Sequence, residues 1–157
     1  MKSLESQGAR CRECVAGDVC TLALQLPNDF DAAFIGPGDV LCHREYPIKV
    51  VRQFRAQIQV IDVHTPITKG FKVAVHSHFV KNDGHIAKLV RTIDPSSSET
   101  ISKFPKLLKK GDMAEVNVKL EQRACLELYK NFRTFGRIVL RDGVQTVAAG
   151  IITEFLK

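Results

Sequence analysis

Phe54-Arg55-Ala56-Gln57-Ile58-Gln59-Val60 alternates apolar and polar side chains without a break. A period of two sends its apolar members to one face and its Arg and Gln members to the other, as a half-solvated antiparallel strand requires. Ala114-Glu115-Val116-Asn117-Val118-Lys119-Leu120 repeats the pattern. Working outward, residues 19–26, 40–43, 71–80, 86–93, 124–128, 136–141 and 146–155 also read as strands, and no stretch carries helical periodicity with caps. Lys69-Gly70, Asn82-Asp83-Gly84, Lys110-Gly111-Asp112 and Asp142-Gly143 are turn signals between them. Many short strands at this spacing predict an all-β sandwich or barrel.

Hydrophobic residues make up 45% of the 157-residue chain and charged residues 25%, values ordinary for a packed globular protein. No apolar run reaches the roughly 20 residues that cross a bilayer, and the start lacks a signal-peptide apolar region, so no membrane association and a cytoplasmic location are expected. The net charge of +6 is uneven: residues 1–45 carry four Lys/Arg against seven Asp/Glu, and residues 46–157 nineteen against ten. The basic part would attract an acidic protein face or a polyanion such as transfer or ribosomal RNA. Lys103, Lys106, Lys109 and Lys110, after the loop 94–100, are the candidate RNA contacts. The charge reversal and Pro47 place a boundary near residue 45.

Catalytic machinery is not legible. The chain has no GxxxxGK[ST] phosphate loop, GxSxG elbow or HExxH pair, so no catalytic residue and no cofactor are assigned. Ile35-Gly36-Pro37-Gly38-Asp39 reads as a turn, because Pro37 removes a backbone donor and no lysine follows at the required place. Five cysteines without a secretory signal read as free thiols. Cys11-Arg12-Glu13-Cys14 is a first half-site for zinc, with Cys20, Cys42 and His43 as partners of poor spacing; no metal is assigned. His76 and His78, two apart on one expected strand, share a face, and the packed reading is preferred over a metal or phosphate site.

Residues 105–112 (Pro105-Lys106-Leu107-Leu108-Lys109-Lys110-Gly111-Asp112), 136–142 (Gly136-Arg137-Ile138-Val139-Leu140-Arg141-Asp142) and 145–150 (Gln145-Thr146-Val147-Ala148-Ala149-Gly150) resemble third-domain signatures of the elongation factor 1-alpha superfamily of translational GTPases. Ala16-Gly17-Asp18-Val19 and Gly36-Pro37-Gly38-Asp39-Val40-Leu41 resemble the last strands of that family's second domain. The resemblance implies a six-stranded antiparallel barrel over residues 46–157, preceded by part of a second barrel over 16–45, with residues 1–15 an unmatched, disordered tail. Thr65-Pro66-Ile67-Thr68-Lys69-Gly70-Phe71, residues 126–132 and residues 148–154 are most similar to the Hbs-type ribosome-rescue GTPase, the partner of Pelota.

That similarity implies a non-catalytic fragment, expected to be monomeric, that docks a Pelota-like release factor in a protein engaging stalled ribosomes. The alternative is a barrel of an elongation or release factor that binds transfer RNA or a termination factor. The segment matching the family's GRxxLRD pattern contributes to release-factor binding in the termination branch, although Ile138 and Val139 replace that branch's usual Phe and Thr. Gly136, Arg137, Arg141 and Asp142 are therefore the expected docking residues, with Leu140 packed inward; the competing reading pairs both arginines with barrel carboxylates. Sparse aromatics, taken to be mostly core, argue modestly against single-stranded RNA. Without a phosphate loop, magnesium ligand or guanine-reading loop, calorimetric titration of this chain with GTP or GDP should show no micromolar binding; such binding would overturn this reading.

Overall fold

Residues 2–156 are described by a computed structural model. The chain divides into two compact units, Met1–Gly36 and Pro37–Lys157. The first holds β1 (Ser3–Ser6), β2 (Ala9–Arg10) and β3 (Cys20–Ala23), in the order β2-β1-β3, and a 3-10 turn at Ala32–Phe34. The segment expected as a disordered tail thus contains two strands: β1 pairs with β3 from Ser3↔Ala23 to Ser6↔Cys20, satisfying backbone groups that a tail would leave to water. The division falls after Gly36 rather than at residue 45. Residues 40–43 form no strand, since prolines at 37 and 47 interrupt hydrogen bonding at both ends of the segment.

The second unit contains β4 (Lys49–Val60), β5 (Ile67–Thr68), β6 (Lys72–Ser77), β7 (Val80–Ile93), β8 (Thr100–Lys103), β9 (Leu107–Leu108), β10 (Met113–Leu126), the single helical turn α1 (Arg133–Gly136), β11 (Arg137–Asp142) and β12 (Gln145–Leu156). Six of them run β10-β4-β12-β11-β6-β7, and β7 pairs again with β10, closing the antiparallel barrel. The strands that period-two alternation predicts are observed, and they form the six-stranded antiparallel barrel that the resemblance implies. Phe54, Ala56, Ile58 and Val60 on β4 are buried, as are Val116, Val118 and Leu120 on β10 and Ile138 and Leu140 on β11. Ile67 and Leu108, on the paired strands β5 and β9, belong to the same core. Each such side chain contributes about 1.5–3 kcal/mol through burial.

Two close approaches between neighbouring strands require glycine. At Gly84 an added Cβ would lie 2.5 Å from the Lys119 carbonyl oxygen, and at Gly150 it would lie 2.1 Å from that of Gln57. The first explains why Asn82-Asp83-Gly84, expected as a turn, lies inside β7: the chain reverses earlier, at His78-Phe79, and Gly84 lets β7 meet β10. On the outer surface, Arg91 faces Glu115 across β7–β10 (2.6 Å) and Arg55 faces Glu154 across β4–β12 (2.7 Å). Because β12 cannot approach β4 with a side chain at 150, Gly150→Ala should destabilise the barrel by about 2–3 kcal/mol. Gly36→Ala, where a Cβ meets nothing within 4 Å, should leave the melting temperature unchanged; equal melting of both variants would show that β12 yields.

Candidate partner-docking surface

β11 lies between β12 and β6, so its side chains alternate between core and outer face. Ile138 and Leu140 point inward and are buried, whereas Arg137 is exposed and Arg141 half-buried on the other face. The register shift between Leu140 and Arg141 falls on the β12 side, where Val147 is the extra residue, so β11 keeps its alternation. Gly136 is buried in α1, and its missing side chain admits the Tyr129 backbone, whose Cα would lie 2.3 Å from a Cβ. Close approach, rather than a bulge, is the role of this glycine. Asp142 is exposed and ends the strand opposite Gln145.

The Arg137 guanidinium lies over the Tyr129 ring, 5.8 Å from its centroid, within cation–π range. Arg141 donates from Nη2 to the Val144 carbonyl oxygen (2.6 Å), bracing the hairpin turn, while its Nε is buried with no hydrogen-bond partner. Neither arginine makes an ion pair among the described residues, so the carboxylate-paired reading fails.

Beside this strand lies a feature the sequence reading missed. Phe132 and Phe135 stand 5.4 Å apart, and His78 packs 5.1 Å from Phe135 and 4.1 Å from Phe79. Tyr46 is 78% exposed, Phe79 73% and Phe132 52%, and a cleft of about 470 Å3 is lined by Tyr46, Pro47, Ile48, Phe132 and Phe135. The aromatics are therefore not mostly core: Phe54 is the one fully buried, Phe71 and Phe155 pack against the core while partly buried, and most of the others lie in loops and turns, where no periodicity marks a face. The segment carrying Tyr129 and Phe132 is held by Glu127, whose Oε1 accepts from the Leu128 backbone N–H (2.8 Å) and from Asn131 Nδ2 (3.1 Å).

His76 and His78 do not share a face, because β6 ends at Ser77 and His78 takes a left-handed conformation (φ 49°) in the turn. His76 remains half-buried on β6, opposite Val139, in a cleft of about 420 Å3 shared with Lys72, Lys81, Asp83 and Arg141. Desolvation, then the charges of Arg141 and Lys81, lower its pKa, and Asp83 partly opposes them.

Lys103, Lys106, Lys109 and Lys110 are all exposed, but Lys110 is paired with Asp62 (3.0 Å). Exposed Phe104 adds a ring to this region: it sits at φ 52° with Lys88 Nζ 4.6 Å above its centroid, in a cleft that also includes Lys69 and Lys106. Spacing alone could not reveal Lys69 and Lys88, because they come from the turn after β5 and from β7. At the other end of the chain Cys11 and Cys14 have Sγ atoms 3.6 Å apart. The Cys14 thiol is pushed up to about 12, first by desolvation and then by Cys11 and Cys20. Cys42 is exposed, and Nδ1 of His43 accepts from the Glu45 backbone N–H (3.3 Å).

Residues 53–153 match the sequence profile of the GTP-eEF1A C-terminal domain-like family. The chain belongs to that family, in the elongation factor 1-alpha superfamily. It is 32% identical over 142 residues to "Protein HBS1" of Drosophila melanogaster, covering 90% of this chain and 21% of that protein. It is 34% identical over 117 residues to elongation factor 1-alpha of Saccharolobus solfataricus, covering 74% and 27%. A crystal structure of sup35 complexed with GDP superposes with a TM-score of 0.88 at 23% identity, over 99% of this chain and 37% of that one, and shows the same fold. The chain spans between about a fifth and a little over a third of the length of the curated relatives it matches. Among the described residues no helix is long and apolar enough to cross a membrane.

In this eEF1A-type barrel, His76 should titrate below the usual imidazole value of about 6.5. The unfolded chain then takes up a proton first, so this group's contribution to stability is present above about pH 6.5 and is lost as pH falls toward the folded pKa. An NMR titration checks this, with Arg141→Ala expected to move the midpoint upward; an unshifted midpoint in both proteins would remove Arg141 from the site's electrostatics.

Proposed function

We propose that the chain is the non-catalytic C-terminal part of a ribosome-rescue translational GTPase and docks a Pelota-like release factor on the outer face of β11. The observation that carries this reading is the pair of arginines, Arg137 and Arg141, on one outer face of β11, at backbone positions that strand geometry sets about 13 Å apart. Neither has an ion-pair partner among the described residues, and exposed Phe132 and Phe79 stand nearby. Arginine and aromatic side chains around a desolvated centre are the residue types that most often anchor protein interfaces. The rescue branch is favoured by residues 65–71, 126–132 and 148–154. The intact protein would hydrolyse GTP through a domain outside this sequence, and with its partner would separate the subunits of stalled ribosomes in the cytoplasm. The barrel itself serves as a monomeric docking module without a cofactor.

A second reading is RNA contact, favoured by Lys88 over exposed Phe104 beside Lys69 and Lys106. Lysines would take phosphates while the ring stacks on a base. Docking of transfer RNA or a termination factor belongs to the elongation and termination branches.

The test is calorimetric affinity for a Pelota-like factor, compared in parallel with a termination factor and aminoacylated transfer RNA. Arg137→Ala, Arg141→Ala and Phe132→Ala should each weaken Pelota binding by about 2 kcal/mol, roughly thirtyfold, while keeping the parent melting temperature. Unchanged affinity in stable variants removes β11 from the interface. Tighter, steeply salt-dependent binding of transfer RNA, weakened by Lys88→Ala, would favour the RNA reading instead.

A further inference from the structure

The outer face of β6 and its neighbours holds a cleft that the docking reading touches only at Arg141. Strand register builds it. Arg141 on β11 stands opposite Ala74 on β6, and Ala74 opposite Asp83 on β7, so one row across the sheet runs Arg141, Ala74, Asp83. In the next row His76 lies between Val139 and Lys81. Strands about 4.8 Å apart put the backbones of Arg141 and Asp83 about 10 Å from each other, with only a methyl group between them. The space left is the cleft of about 420 Å3, within the size range of small-ligand sites.

Its charges are sorted by depth. Arg141 and His76 are half-buried, whereas Lys72 and Lys81 and the carboxylates of Asp83, Glu121 and Asp142 belong to exposed residues around them. The Arg141 Nε is buried without a hydrogen-bond partner, and the only hydrogen bond of this side chain among the described residues runs from Nη2 to the Val144 carbonyl oxygen. Neither Lys72 nor Lys81 forms an ion pair with the rim carboxylates among the described residues.

We propose that this cleft binds a phosphate group, as the free ion or on a small monoester, between Arg141, His76, Lys72 and Lys81. An oxyanion supplies the acceptor that the guanidinium lacks, and arginine forks and lysine point charges are the side chains that suit phosphate. The exposed carboxylates oppose it weakly: at His76 the charges of Arg141 and Lys81 outweigh that of Asp83, so the inner wall is electropositive. An anion bound there favours the imidazolium, and by reciprocity protonation of His76 tightens binding. The inference does not depend on the docking reading, although the two share Arg141.

The test uses the full chain without a partner, titrated at constant ionic strength with inorganic phosphate and, separately, with β-glycerophosphate. The NMR signal of His76 Hε1, assigned by its loss in His76→Gln, is followed. Both compounds should shift it saturably and raise its titration midpoint, and the tighter of the two shows whether the organic part of a monoester is also bound. Acetate and dimethyl phosphate, each with a single charge, should do neither. Arg141→Ala should weaken phosphate binding about tenfold, and Lys72→Ala and Lys81→Ala roughly threefold each, with the parent melting temperature retained. Lys49→Ala, on β4, should change nothing. The midpoint rise is read on the unaltered chain and is independent of how any variant folds. No saturable shift, an equal response to acetate, or full affinity in folded Lys72→Ala and Lys81→Ala would each overturn the proposal. Failure of Pelota docking would leave it standing.

Discussion

Closure of the barrel at the β7–β10 ladder is the constraint on which the rest of the second unit depends. One strand of fourteen residues serves two neighbours in the ring: β7 pairs with β6 through Val80–His85 and with β10 through Gly84–Ile93, while β8 pairs with its far end outside the ring. An open sheet of the same strands would leave two edges of unpaired backbone groups, a template for association. Closing the ring removes them, and the transfer between partners takes place where Gly84 allows β7 to lie against the Lys119 carbonyl. Once the ring is closed, strand alternation has one solution. The apolar set must fill the interior, and every intervening residue is committed to the outer surface.

The character of the proposed docking surface follows from that commitment. With Ile138 and Leu140 in the core, Arg137 and Arg141 have to face outward. Elsewhere on the barrel some outward charges find opposite partners, as Arg55 does with Glu154 and Arg91 with Glu115. The β11 arginines are instead held by a ring and by a backbone carbonyl, contacts that orient a guanidinium without neutralising it. Their charge remains unneutralised, and that of Arg141 adds to desolvation in disfavouring the protonated form of His76. Exposed rings beside this strand supply the apolar area that charge alone cannot, since long-range attraction mainly speeds encounter and buried rings slow release.

The barrel strands were legible because their signal is local and repeats every two residues. Phe54 through Val60 states its inner and outer faces without reference to any other segment, and so do Ala114 through Leu120 and Ile138 through Leu140. The outward placement of Arg137 and Arg141 on β11 was legible for the same reason. Asn82-Asp83-Gly84 was misread because a glycine that serves close packing between strands has the same composition as one that serves a turn. The first strands were missed because Ser3–Ser6 has little alternation of its own, and it becomes a strand by pairing with Cys20–Ala23.

The six-stranded barrel came from the family resemblance; by itself the sequence determined an all-β fold, its inward and outward residues, the basic balance of the larger part and the outward arginines of β11. These depend on side-chain chemistry and a two-residue period, both properties of short segments. Tertiary structure alone decided which strands close the ring, which phenylalanines stand in water, and that Lys69 and Lys88 surround Phe104. Each of these depends on bringing together residues from separate elements, and the positions of turns and strand registers set those distances. A strand register is fixed by the summed packing of both partners. No single stretch of chain contains that information.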